Sequence, residues 1–327
     1  MTTQPVLVTG AAGFIGSHVA AALLARGQRV IGVDNFDPFY DRAAKERNLS
    51  ELGYPLSPRR ADSAFEFHEL DITDATGLGS LMQRTRPEGV IHLAAKAGVR
   101  PSIQDPVGYS KANVLATSVI LEEARKAECS RVVVASSSSV YGNSPTAPFS
   151  ETQDVNQPIS PYAATKKACE LIGYTHWHLT KQPVAMLRFF TVFGPRQRPD
   201  LAINLFMRKI CAGDTVQLFG DGTSRDYTFI DDIVSGVLAS YDRIPQYGYR
   251  VWNLGGNHPI GLDEMVNTIA KVVGQPAKIE RGPMRPGDVQ RTWADLTRAT
   301  AELDYQPKTP FEEGVGRQWA WMKSVRA

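Results

Sequence analysis

Cysteine is scarce in this chain: three in 327 residues, Cys129, Cys169 and Cys211, far apart and never as a CxxC pair. That excludes a disulfide framework and a thiolate metal centre, and it suits buried thiols in a reducing, cytoplasmic setting. The six histidines form no ligand set either. His176 and His178 lie two apart on a predicted helix and so diverge, and no metal is expected. No apolar run reaches membrane-spanning length, and the first apolar segment reads as a short strand, not a leader peptide. An excess of one charge is also missing. A net charge of +2 gives no basis for nucleic acid or an anionic membrane as partner, although local basic residues can still serve a small anion. Repeats and low-complexity tracts are absent. What remains is 43% hydrophobic and 21% charged, enough for two lobes or one elaborated α/β domain.

The most informative segment is Gly10-Ala11-Ala12-Gly13-Phe14-Ile15-Gly16. It follows an apolar run, Val6 to Thr9, and opens a helical pattern from Ser17 to Arg26 that stops at Gly27. Alone, such a stretch is an ordinary glycine-rich turn. Between a strand and a helix it is a dinucleotide fingerprint, because glycines let the backbone approach a pyrophosphate at the positive end of the helix. A second strand, Arg29 to Val33, ends at Asp34, where an acid accepts hydrogen bonds from the adenosine ribose and repels a 2′-phosphate. The expected cofactor is therefore NAD rather than NADP.

Further strands are predicted at Phe65 to Leu70, Gly89 to Leu93, Arg131 to Ala135 and Val184 to Phe189. Helices are predicted at Arg42 to Leu52, Asp74 to Arg84, Val107 to Lys126 and Pro161 to Thr180, with an exposed loop from Gly53 to Ser63. Alternating strands and helices predict an α/β fold, a Rossmann-type doubly wound parallel sheet whose ligands bind beyond the carboxyl ends of the strands. Asp71, Ala94, Ala95, Ser136 and Ser137 fall at such ends. From Phe193 prolines and glycines break the rhythm. The expected division is residues 1–190 for the dinucleotide and a smaller C-terminal α/β substrate lobe over 191–327, with segments near 227–257 returning to the first.

Tyr162 and Lys166 are four apart on a predicted helix and share a face, so phenol and ammonium can reach one site. An ammonium beside a phenol favours the phenolate, which makes Tyr162 a candidate general base for a sugar hydroxyl. Lys166 is also placed to hold nicotinamide ribose hydroxyls. By itself the pair is equally a solvated helix face, and the run Ser136 to Ser139 is equally a polar loop. Together with the glycine segment, in this chain order, they read as a catalytic set in which a serine hydroxyl helps to move the proton.

At this point the chain resembles the extended short-chain dehydrogenases/reductases, and within them the nucleotide-sugar 4-epimerases. The matching pieces are TGAAGFIGSH at 9–18, DNF at 34–36, LDITD at 70–74, HLAA at 92–95, SSSSVYG at 136–142, SPYAATK at 160–166, RFFTVFGPRQRPD at 188–200, GDGTSRDYTFIDD at 220–232, NLGG at 253–256 and RPGDV at 285–289. The resemblance implies that Gly10, Gly13, Phe14, Ile15, Gly16, Asp34, Asn35, Asp71, Ile72, Ala94, Ala95, Tyr162 and Lys166 contact NAD. It implies that Ser137 takes the catalytic Ser/Thr position, that Arg225 and Arg285 clamp the substrate's diphosphate, and that Asp288 binds the uridine ribose. The implied reaction oxidises a UDP-sugar at C4, turns the 4-keto sugar over and reduces it on the other face.

Dehydratases and decarboxylases of this family carry an acid directly after the catalytic Ser/Thr; here Ser138 and Ser139 stand there, which leaves plain epimerisation. Thr191 replaces the asparagine of many glucose-type 4-epimerases. The pattern looks most like UDP-glucuronate 4-epimerases, with Ser137, Ser138, Ser139 and Thr191 pinning the sugar carboxylate. Arg198 either assists them or is structural in its Pro-rich turn. The alternatives are a UDP-glucose or UDP-N-acetylglucosamine 4-epimerase and, from another class, a catalytically silent NAD-binding regulator. The helices 107–126 and 161–180 expose apolar stripes that either cover the sheet or, as the resemblance implies, pair in a homodimer.

Overall fold

Burial in the first strand sets the architecture. In β1 (Val6–Thr9), Val6 and Val8 join one hydrophobic core and Leu7 the other, the mark of a central parallel strand covered on both faces. The computed structural model describes residues 4–53, 64–285 and 287–325. After β1 come α1 (Phe14–Ala25), β2 (Val30–Asp34), α2 (Arg42–Ser50), β3 (Phe65–Glu69), α3 (Ala75–Thr85), β4 (Gly89–His92), the short α4 (Val99–Gln104) and α5 (Pro106–Tyr109), α6 (Ala116–Lys126), β5 (Arg131–Ser137), α7 (Pro161–Thr180) and β6 (Val184–Phe189). The later chain adds β7 (Thr191–Phe193), α8 (Ala202–Ala212), β8 (Thr215–Phe219), β9 (Ser224–Phe229), α9 (Ile230–Arg243), β10 (Tyr249–Leu254), β11 (Pro259–Gly261), α10 (Leu262–Val273), β12 (Lys278–Gly282), α11 (Thr297–Leu303) and α12 (Phe311–Ser324).

Seven parallel strands form the main sheet in the order β10-β6-β5-β4-β1-β2-β3. One face is covered by α1 and α9, through Val19, Leu23, Ile233 and Val237. The other is covered by α3, α6 and α7, through Leu78, Met82, Ile120 and Cys169. This is the doubly wound arrangement expected from the alternation, with a crevice beyond the carboxyl ends of the strands. A three-stranded sheet, β11-β9-β7, and a parallel pair, β12-β8, lie in the later chain beside α8, α10 and α12.

Several boundaries differ from expectation, each for an identifiable reason. The first helix begins at Phe14 rather than Ser17: Gly13 is its extended N-cap, and Ser17 N–H already donates to Gly13 O at 3.1 Å. The segment expected as one helix from 107 to 126 is interrupted by a π-helical turn at Ser110–Leu115. That wider turn carries Asn113, whose side chain accepts from Lys96 N at 2.9 Å and donates to Lys96 O at 3.1 Å and Thr165 Oγ1 at 3.0 Å. β5 runs two residues further than predicted, so Ser136 and Ser137 are held by strand pairing with β6. Beyond Phe193 the chain is more regular than its prolines suggested. α9 is 14 residues long, and β10 adds to the edge of the main sheet through β6, whereas Tyr227 belongs to the three-stranded sheet. Of the loop predicted from Gly53 to Ser63, residues 54–63 lie outside the described part of the chain.

Candidate active site

A cavity of about 640 Å³ opens at the carboxyl ends of the main sheet. Its walls include every residue assigned above to the dinucleotide, from Gly10 through Asp34, Asp71 and Ala94 to Lys166. Ser137, Ser138, Ser139, Thr191 and Arg198 line the same space.

At one end the backbone is drawn in tightly. Gly10 has φ +71°, and a Cβ there would meet Ala94 N at 2.8 Å; one on Gly16 would meet Gly10 O at 2.0 Å. Only glycine fits both places, and the turn leaves room for a phosphate-bearing ligand against the start of α1. Asp34 closes this end. Its carboxylate accepts from Phe36 N at 2.9 Å and Ala12 N at 3.2 Å, and Lys45 Nζ lies 3.6 Å away. Burial pushes the Asp34 carboxyl up, with Lys45 and the two backbone donors working against that rise. Asp71 is affected in the opposite direction. Burial raises it, but the Thr73 N–H and hydroxyl, Asn35 and Lys111 outweigh burial and hold it below the usual range. Asn35 Nδ2 donates to Asp71 Oδ2 at 3.2 Å, so the two residues form one polar wall.

At the other end, α7 begins with Ser160, whose hydroxyl caps Ala163 N at 3.1 Å, and Pro161 at the first helical position. Tyr162 follows at once. Its N–H donates to Ser102 Oγ at 3.1 Å, and its ring meets Tyr109 edge-on with centroids 6.1 Å apart. One turn on, the buried Lys166 donates to Ala135 O at 2.8 Å. Ser137 Oγ donates to Ser139 Oγ at 3.1 Å and accepts from Ser139 N at 3.2 Å, which folds the serine turn over the end of β5. His92 lies beneath this floor. Burial, and secondarily Lys166, push it down to about 3, and it stays a neutral partner of Thr9 Oγ1 at 2.7 Å.

Not every assigned residue is on the wall. Arg225, Arg285 and Asp288 stand apart from the lining, in a cluster carried by the later chain. Asp288 is bonded to Arg100 of α4 at 2.7 Å, and the Arg285 guanidinium lies 3.2 Å from the centre of the Phe219 ring. Arg225 Nη1 donates to the Ser224 carbonyl at 2.9 Å. The cluster adjoins the cavity through Val99, which lines it and packs against Gly287. Arg198 reaches the wall already engaged: Nε and Nη2 meet Asp200 at 3.0 and 2.7 Å, and both Nη atoms donate weakly to Ala97 O.

Two groups escaped sequence reasoning. Lys45 is buried beside Asp34 and lines the cavity, yet nothing in the surrounding helix marks it out. Glu170 and Arg188 form a buried bidentate pair just below Lys166. Glu170 was within reach of pattern analysis, since positions 162, 166 and 170 share one helix face. Among the described residues no group of three His, Cys, Asp or Glu side chains is placed to hold a metal, and no helix is long and apolar enough to cross a membrane.

The protein-family model described as GDP-mannose 4,6 dehydratase matches residues 7–318. A UDP-glucuronate 4-epimerase of Thermodesulfobacterium geofontis is 40% identical over 320 residues, covering 97% of this chain and 95% of that one. Among solved structures, the Bacillus cereus UDP-glucuronic acid 4-epimerase in complex with UDP-glucuronic acid and NAD superposes with a TM-score of 0.89 at 34% identity, covering 98% of this chain and 99% of that chain. The Thermotoga maritima UDP-glucose 4-epimerase with UDP-glucose gives 0.88 at 29% identity, covering 99% and 100%.

Proposed function

The chain belongs to the GDP-mannose 4,6 dehydratase family of extended short-chain dehydrogenases/reductases, and we infer that it is an NAD-dependent UDP-sugar 4-epimerase acting on UDP-glucuronate to give UDP-galacturonate. One observation carries this reading. A glycine turn with an acid at one end of a single cavity, and Ser137, Tyr162 and Lys166 at the other, face a wall that offers hydroxyls at 138, 139 and 191 and no carboxyl there.

Bound NAD would supply the hydride acceptor and donor at sugar C4. Gly10, Gly13 and Gly16 would hold its pyrophosphate, with Phe14 and Ile15 beside them; Asp34 and Asn35 would take the adenosine ribose, Asp71 and Ile72 the adenine end, and Ala94 and Ala95 would pack beside the dinucleotide. Tyr162 removes the C4 hydroxyl proton and later returns one, Ser137 hydrogen-bonds the same oxygen, and Lys166 binds ribose hydroxyls. Residues 191–327 supply most of the nucleotide-sugar lobe. There Arg225 and Arg285 meet the diphosphate and Asp288 the ribose, once Arg100 has released it.

The 4-keto form of glucuronate is a β-keto acid, and it loses CO2 when its carboxylate carbon can align with the carbonyl π system. Hydrogen bonds from Ser138, Ser139 and Thr191 hold that carboxylate out of alignment while supplying no acid. Arg198, paired with Asp200, serves to fix the Ala97 loop. The test is product analysis across a panel of UDP-sugars. UDP-glucuronate turned over far faster than UDP-glucose or UDP-N-acetylglucosamine supports the reading; equal rates with UDP-glucose remove the carboxylate-pinning account.

A homodimer is part of the same proposal. Val107 is 80% exposed, Leu179 75% and Leu171 57%, apolar side chains on the two helical stretches expected to pair. Buried Cys129 and Cys169 fit a reducing, cytoplasmic compartment.

A further inference from the structure

Tyr162, Lys166 and Glu170 fall four residues apart on one face of α7, and two of them clasp the end of β5 directly. Lys166 Nζ donates to Ala135 O at 2.8 Å, and the next residue of the strand, Ser136, donates its hydroxyl to Glu170 Oε1 at 2.7 Å. Glu170 is held from its other side by Arg188 of β6, whose Nε and Nη2 each reach one carboxylate oxygen at 2.8 Å. The bonds continue. Arg188 Nη1 donates to Tyr141 Oη at 2.9 Å, Tyr141 donates to Asn253 Oδ1 at 2.7 Å, and Asn253 Nδ2 donates to Phe149 O at 2.7 Å. Ser136, Glu170, Arg188, Tyr141 and Asn253 are all buried, so water does not compete for these bonds. The serine turn is therefore gripped at both ends, by Ser136 before it and Tyr141 after it, and the grip is anchored on the helix that carries Tyr162.

A buried ion pair is a poor source of net stability, because apolar residues of similar volume do as well. Bidentate geometry does fix angles and distances. We propose that Ser136, acting through the Glu170–Arg188 pair, is a positioning residue that sets the separation of the Ser137 hydroxyl and the Tyr162 phenol across the reacting sugar. The inference rests on the 4-epimerase reading above. Neither Ser136 nor Glu170 is asked to touch the reacting atoms; a displacement of well under 1 Å between two elements is enough to slow a proton transfer.

The experiment is steady-state epimerisation of UDP-glucuronate by the wild type, Ser136→Ala, Glu170→Gln and the double variant, with bound NAD and thermal midpoint measured on each. Ser136→Ala is expected to lower kcat by about tenfold while KM and bound NAD stay at wild-type values. In the double variant the two losses should not multiply, because both remove one linkage. Wild-type kcat in Ser136→Ala, a KM that rises with the loss, or independent multiplying effects each overturn the proposal. If Glu170→Gln does not fold, Ser136→Thr takes its place: a retained hydroxyl must restore kcat, and failure to do so counts against the idea. A wild type that does not epimerise UDP-sugars removes the underlying reading and this inference with it, whereas an active wild type indifferent to Ser136→Ala removes this inference alone.

Discussion

Replacing Gly16 by alanine tests whether the glycine turn works by close backbone approach. The added Cβ would lie 2.0 Å from Gly10 O and 2.7 Å from Gly10 C, more than an ångström inside van der Waals contact. Both atoms are backbone, so no side chain can swing aside, and the turn or the start of α1 must move by about 1 Å. Overpacking of this kind costs about 1–3 kcal/mol of stability. The functional loss should be larger, since a displacement of about 1 Å in a binding cradle costs on the order of 100-fold. Two comparisons separate crowding from strain. Gly13→Ala meets Gly10 O at 3.0 Å and Gly10 C at 4.0 Å and should be milder. Gly27→Ala meets nothing within 4 Å but has φ +74°, so it should lose about 1 kcal/mol of stability and no cofactor. The assay is NAD released on denaturing the purified protein, with thermal midpoints alongside. Wild-type NAD content in Gly16→Ala, or equal loss in Gly27→Ala, refutes the argument.

Other perturbations have equally definite outcomes. Tyr162→Phe should cut kcat by about 10²–10⁴-fold with bound NAD and thermal midpoint unchanged, read by epimer formation. Thr191→Ala combined with Ser138→Ala should release CO2 from UDP-glucuronate, detected as a UDP-pentose; continued clean epimerisation counts against the pinned carboxylate. Lys45→Met leaves Asp34 buried without its cation and should cost about 3–5 kcal/mol and much of the NAD, measured by denaturant unfolding and cofactor release. His92 has a folded pKa of about 3 against an unfolded 6.5, so below pH 6.5 the unfolded chain takes up the proton first. The native state therefore loses stability as pH falls from 6.5 toward 3, by about 1.4 kcal/mol per unit from this group. His92→Asn should flatten the stability profile between pH 4 and 6 by that slope.

Much of the dinucleotide half was legible because its signals are local. Glycines at 10, 13 and 16 are demanded by contacts a few residues away or by one neighbouring strand, and Asp34 ends a strand whose apolar run is visible in the sequence. The Tyr162/Lys166 spacing and the capping serine and proline at 160 and 161 are likewise written in one helix. What escaped depends on distant partners. The π-helical turn carries Asn113, whose side chain bonds Lys96 in a loop 17 residues away, and no periodicity announces it. Lys45 reads as an exposed helix cation until the fold brings Asp34 against it. Arg285 and Asp288 stand in a motif visible in the sequence, yet their engagement with Phe219 and Arg100 joins separate parts of the chain and leaves no local trace.

In the proposed mechanism hydride leaves sugar C4 and returns to it within one cavity, with Tyr162 handling the proton. UDP-glucuronate deuterated at C4 tests it directly. UDP-galacturonate formed by the purified protein should keep the deuterium at C4, with none exchanged into water. Loss of the label to solvent, or a product whose C4 is not inverted, would rule this mechanism out.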